Sequence, residues 1–113
     1  MASLRMMQGD SYPVFVALNL IDTGEPITPN MVSELEICVG ESIRKTYSSN
    51  DVFYDYTERE WYFIPTQSET FAMEPGSYEV QARPKFANGE YSTVRGIKVG
   101  TIVIADANSN EVI

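Results

Sequence analysis

Tyr12-Pro13-Val14-Phe15-Val16-Ala17-Leu18-Asn19-Leu20-Ile21 is the stretch that decides the fold. Val14, Val16, Leu18 and Leu20 recur every second residue, with Phe15, Ala17 and Asn19 between them. A period of two puts alternate side chains on opposite faces of an extended strand. Pro13 stands at its start, where a missing N–H costs least. Asp22-Thr23-Gly24-Glu25-Pro26 then reverses the chain, and Pro29-Asn30 breaks it again.

The same alternation spreads outward from there. Leu35, Ile37 and Val39 interleave with Glu34, Glu36 and Cys38. Glutamate favours helix over strand, but the strict period of two, ended at once by Gly40, predicts a strand. Ile43–Tyr47 is expected to return along it across Gly40-Glu41-Ser42. Val52–Tyr56 and Trp61–Pro65 flank Thr57-Glu58-Arg59-Glu60 as a second hairpin. In Tyr78–Phe86, residues Tyr78, Val80, Ala82, Pro84 and Phe86 share one face, and Glu79, Gln81, Arg83 and Lys85 the other. Asn88-Gly89 is a hairpin signal, and the return strand Tyr91–Val99 is expected to bulge at Gly96. Leu4–Gln8, closed by Gly9-Asp10-Ser11, and Thr101–Ile104 complete the strands.

Thr66-Gln67-Ser68-Glu69 has the spacing of a capping box and predicts one helical turn that carries Phe71 and Met73 onto the core. Seven or eight short strands with one short helical turn predict an all-β, antiparallel two-sheet sandwich. Residues 1–105 form that domain, and 106–113 read as a polar tail with an apolar tip, Val112-Ile113.

The inventory narrows the chemistry. The 113-residue chain has no histidine and one cysteine, so it has neither the usual general base nor a familiar Cys/His zinc site within one chain. No Gly-rich phosphate loop is present. Cys38 lies among carboxylates that discourage thiolate and reads as a passive thiol. Asp51, Asp55 and Glu58 match no calcium loop. Carboxylate pairs of the glycosidase kind remain open, but no spacing singles out two residues. The expectation is a protein that is not an enzyme and has no cofactor. A formal net charge of −8 opposes nucleic acid and anionic membranes. The first residues lack the apolar run of a secretory signal, and no apolar stretch is long enough to span a membrane.

Tyr47, Phe53, Tyr54, Tyr56, Trp61, Tyr62 and Phe63 cluster in sequence, and alternation forbids that all of them face the core. Some rings pair across strands and stiffen the sheet, or else form a contact surface. Tyr54, Tyr56 and Tyr62 are the candidate partner-binding rings. Pro84 argues for a sheet edge that could recruit another chain. Val112 and Ile113 could dock on a neighbouring subunit in a homo-oligomer.

Leu4-Arg5-Met6-Met7-Gln8-Gly9-Asp10-Ser11 followed by an alternating strand resembles the opening of small prophage proteins. Ile43–Tyr47, Pro65–Phe71, Val80–Glu90 and Glu111-Val112-Ile113 look like further segments of them. These proteins occur in tail modules of phages and prophages of Gram-positive bacteria. The first segment is also similar to the N-terminal immunoglobulin-like domain of upper baseplate proteins. The resemblance implies an immunoglobulin-like sandwich that binds other phage tail or baseplate proteins, in the virion or in the host cytoplasm during assembly. It implies no catalytic residues. A carbohydrate-binding or adhesion module with exposed aromatics is the alternative.

Overall fold

A computed structural model describes residues 3–20, 23–88 and 97–106, the last stretch without the side chain of residue 97. Among the described residues, eight strands form two sheets: β1 (Ser3–Met7), β2 (Val14–Val16), β3 (Val32–Val39), β4 (Ile43–Thr46), β5 (Phe53–Asp55), β6 (Glu60–Phe63), β7 (Gly76–Phe86) and β8 (Ile97–Ala105). One sheet has the order β1-β8-β7-β3-β4 and the other β2-β6-β5. All pairs are antiparallel except β1 with β8, which run parallel. Strands β8, β7, β3 and β4 correspond to the G, F, C and C′ strands of a variable-type immunoglobulin sandwich, and β2, β6 and β5 to B, E and D. The chain is an all-β, immunoglobulin-like sandwich.

The alternating residues supply its interior. Val14, Val16, Leu35, Ile37, Val39, Val80 and Ala82 are fully buried between the sheets, with Met6, Ile102 and Ile104 close behind. Strand F of antibody domains carries a cysteine two residues after a corner tyrosine. Here Tyr78 is that corner: its hydroxyl donates to the Glu74 carbonyl at 2.6 Å, and the cysteine position is the buried Val80. Burial therefore stands where a crosslink would.

The capping box forms as the sequence predicts. Thr66 Oγ1 accepts from the Glu69 N–H at 3.1 Å, and Glu69 Oε1 accepts from the Thr66 N–H at 2.8 Å. This starts α1 (Gln67–Phe71), which buries Thr70, while Met73 just beyond it reaches the core and Phe71 stays half-buried. The Gly-Asp turn docks on it. Gly9 has a φ of 89°, its N–H donates to Thr70 Oγ1 at 3.1 Å, and that hydroxyl donates to the Asp10 carbonyl at 2.7 Å. The Arg5–Ser11 segment is thus a structural joint.

Two expectations need correction, and others meet the structure in part. The Tyr12–Ile21 run is not one long strand: only Val14–Val16 joins the β6 ladder. Its continuation pairs instead with the chain returning after Gly24, with the Ile27 N–H on the Leu18 carbonyl and the Leu20 N–H on the Glu25 carbonyl, both at 2.8 Å. Thr101–Ile104 is no separate piece but the end of β8, held by parallel pairing to β1. The β7–β8 register slips between Val80 and Gln81, which face Gly100 and Lys98, so the extra residue is Val99. The expected bulge at Gly96 and the hairpin at Gly89 lie outside the described residues. Finally, Pro84 sits in a strand flanked by β3 and β8, opposite Leu35, and its ring is buried. The described β7–β8 rungs end at Ala82, and what faces Pro84 on that side lies outside the described residues.

Lys45 on β4 reaches Glu69 at 2.9 Å and ties the helical turn to the large sheet. Burial would raise the Glu69 pKa, but the Thr66 N–H and the Lys45 ammonium outweigh it and hold the carboxyl below its ordinary value. A carboxyl depressed on folding stabilises above its unfolded pKa, and that contribution is lost as pH falls through the folded one. Urea titrations at falling pH should therefore show stability declining below about pH 4.5, with a smaller decline in Glu69→Gln. An identical pH dependence in that variant would contradict the assignment.

Candidate interaction surfaces

The small sheet turns an aromatic row outward. Phe15 on β2 and Phe53 on β5 both lie opposite Tyr62 on β6. Ring centroids are 5.1 Å apart for Phe15–Tyr62 and 5.3 Å for Phe53–Tyr62, with planes inclined by 36° and 30°. Tilted rings at this separation are in aromatic contact. Tyr62 therefore has an aromatic neighbour on each side across the sheet. Phe15, Phe53 and the following Ile64 are 37%, 39% and 42% exposed. An outer sheet face normally carries polar side chains, so this row is an apolar patch that the core does not use.

A second feature opens where β5 turns into β6. Glu25, Pro26, Thr28, Met31, Tyr54, Tyr56 and Arg59 line an open cleft of about 390 Å³. Tyr54 faces inward at the mouth of the sandwich, with its ring 5.0 Å from buried Trp61 and 4.9 Å from Tyr56. Tyr56 itself is 75% exposed. The opposite wall is set by Trp61, whose indole N–H donates to the Ile27 carbonyl at 2.9 Å.

Arg59 has an unusual backbone. Asp55 Oδ1 accepts from the N–H groups of Thr57 and Glu58, and the Asp55 carbonyl accepts from the Arg59 N–H at 2.7 Å. This closes the turn with Arg59 at a φ of 58°, in the left-handed region where glycine or asparagine is favoured. Holding a non-glycine residue in such a region costs about 1–3 kcal/mol. The turn does not need arginine; the side chain lines the cleft and forms no ion pair among the described residues.

The sheet edges differ in their protection. The outer edge of β1 is capped by its own loop: Asp10 Oδ2 accepts from the Met7 N–H, and the Tyr12 hydroxyl donates to the Arg5 carbonyl, both at 2.8 Å. On β4, the Tyr47 N–H bonds back to Leu35, so the rungs alternate and the backbone groups of Arg44 and Thr46 face away from β3. The Thr46 carbonyl is taken by the Asp51 N–H, which leaves a very short edge beside an exposed arginine.

Cys38 is half-buried on the outward side of β3. Burial, then the Glu36 carboxylate that accepts from its thiol at 3.4 Å, push its pKa up to about 11. At neutral pH it is a thiol, not a nucleophile. Among the described residues no group of three or more acidic or cysteine side chains is placed to hold a metal ion, and no helix is long and apolar enough to cross a membrane.

Of the residues singled out from sequence, Tyr62 joins the aromatic row and Tyr54 and Tyr56 the cleft. Pro84 is buried. Val112 and Ile113 lie outside the described residues. Phe15, Phe53 and Arg59 were not among the expected site residues. Alternation placed Phe15 outward, but only the strand register aligns it with Phe53 across Tyr62, and Arg59 stands out only by its backbone angle. No protein-family model matches the chain, and no curated protein matches its sequence.

Arg59→Gly should relieve the turn and raise the unfolding free energy by about 0.5–1 kcal/mol, the larger chain entropy of glycine offsetting part of the gain. Thermal unfolding measures it; a lower melting temperature would show that the arginine supports the fold.

Proposed function

We propose that this chain is a non-catalytic structural or accessory protein of a phage or prophage tail, which binds other tail or baseplate proteins. The observation that carries the binding role is the row Phe15–Tyr62–Phe53 with Ile64 beside it. Aromatic side chains are favoured in the cores of protein interfaces, where they bury much area at small entropic cost. Phe15 and Phe53 gain little from their partial exposure in a lone domain and gain from a second surface laid over them. The tail context is supported by the sequence resemblance, and with it a place in the virion or in the host cytoplasm during assembly. The net charge of −8 fits a protein partner better than nucleic acid or an anionic membrane.

The carbohydrate alternative has less support. Sugar rings pack on the flat faces of aromatics, and Tyr62 is flanked on both sides by the rings of Phe15 and Phe53.

The test is co-purification with particles from the strain that carries the gene. The wild-type chain should be found in purified particles or tail assembly intermediates. A Phe15→Thr/Phe53→Thr variant, which keeps strand propensity, should lose about tenfold or more in occupancy while melting within a few degrees of wild type. A wild-type chain absent from both fractions, or a variant that joins them equally well, would defeat the proposal.

A further inference from the structure

The cleft has a chemical complement within the same sequence. Glu111-Val112-Ile113 places one carboxylate beside two β-branched apolar side chains. The cleft offers one cation without an ion pair among the described residues, Arg59, beside the apolar surfaces of Pro26, Met31, Tyr54 and Tyr56. We propose that the cleft of one copy receives Glu111-Val112-Ile113 of a second copy, with Arg59 holding the Glu111 carboxylate and the apolar walls taking Val112 and Ile113. This extends the reading of the chain as an interaction module, but uses a surface apart from the aromatic row.

Topology assigns the segment to a second copy. β8 ends at Ala105, one residue past the Ile104–Gly76 rung, at the end of the sandwich that holds Gly9, Gly40 and α1. The cleft lies at the other end, where β2 finishes, β5 turns into β6 and the chain enters β3. From Ala105 to Glu111, six extended residues cover about 20 Å, whereas a nine-residue strand such as β8 is about 26 Å long. The segment cannot climb its own sheet and also cross to the other layer, roughly 10 Å away. The resulting contact is head to tail, and it builds a ring or a filament according to the rotation between copies.

Two details of the cleft bear on the fit. A glycine at residue 59 would suit the turn better, so the arginine is retained at a conformational cost. Glu25 also lines the cleft, and a docked Glu111 must lie toward Arg59 and away from it. Removing that repulsion with Glu25→Gln should tighten the contact.

Sedimentation equilibrium of the full chain into the millimolar range tests this, since a contact of three residues is expected to be weak. The wild type should show a mass that rises with concentration. Arg59→Glu and Glu111→Arg, each alone, should lower the association constant about tenfold or more, and the two changes together should restore it to within about threefold. Both residues 59 keep a side chain in the same backbone region, so melting curves of the variants should overlay. A wild type that stays monomeric throughout, an Arg59→Glu chain that associates as wild type does, or a double variant that fails to recover would each overturn the proposal. No tail protein is present in this measurement, so its failure leaves the tail-binding reading standing, and failed co-purification leaves this one standing.

Discussion

The burial of Trp61 is the interaction on which the rest of the molecule leans. Its side chain is fully excluded from solvent on β6, the central strand of the small sheet. Tyr47 and Tyr54 meet it edge-on at 5.2 and 5.0 Å, and its one polar atom is satisfied by the Ile27 carbonyl. Truncating a buried tryptophan typically costs about 3–5 kcal/mol, a large share of the stability of a small domain. The indole bond also pins the 25–31 segment against the end of β5–β6, adding to its backbone bonds with Leu18 and Leu20. Core and cleft are therefore built by the same side chain.

Everything outward follows from that inward commitment. Once Trp61 and Phe63 face the core, Tyr62 and Ile64 must face away, and cross-strand register sets Phe15 and Phe53 on either side of Tyr62. Aromatic pairs across strands stabilise a sheet, so the row serves the fold even without a partner. Its exposure is what makes it a surface as well. The large sheet behaves differently: its outward face carries Glu34, Glu36 and Arg44, and its β1 edge is capped by Asp10 and Tyr12. Exposed aromatic and apolar area is concentrated on the small sheet and its turn.

Much of this was legible in the residues. The period of two in Val14–Leu18, Leu35–Val39 and Tyr78–Phe86 marked both faces correctly, and the Thr66–Glu69 spacing marked the helical turn. What stayed hidden depends on pairing across the sequence. Nothing local in Val14–Leu20 says that the strand stops at Val16 and that Leu18 pairs with Ile27 instead. The parallel bond between β1 and β8 joins the two ends of the domain, and no turn signal announces it. Pro84 read as an edge because proline removes a donor, and the strand that holds it lies between β3 and β8. Arg59 was invisible for another reason, since its left-handed backbone contradicts the preference of its own residue type.

Trp61 is the single tryptophan of the chain, so its fluorescence reports the central claim without interference. Native protein is expected to emit at short wavelength, resist quenching by acrylamide, and shift to long wavelength in one urea transition that coincides with loss of the far-ultraviolet β signal. Emission that is already red-shifted and readily quenched in the native state, or a tryptophan transition well ahead of the β signal, would contradict it.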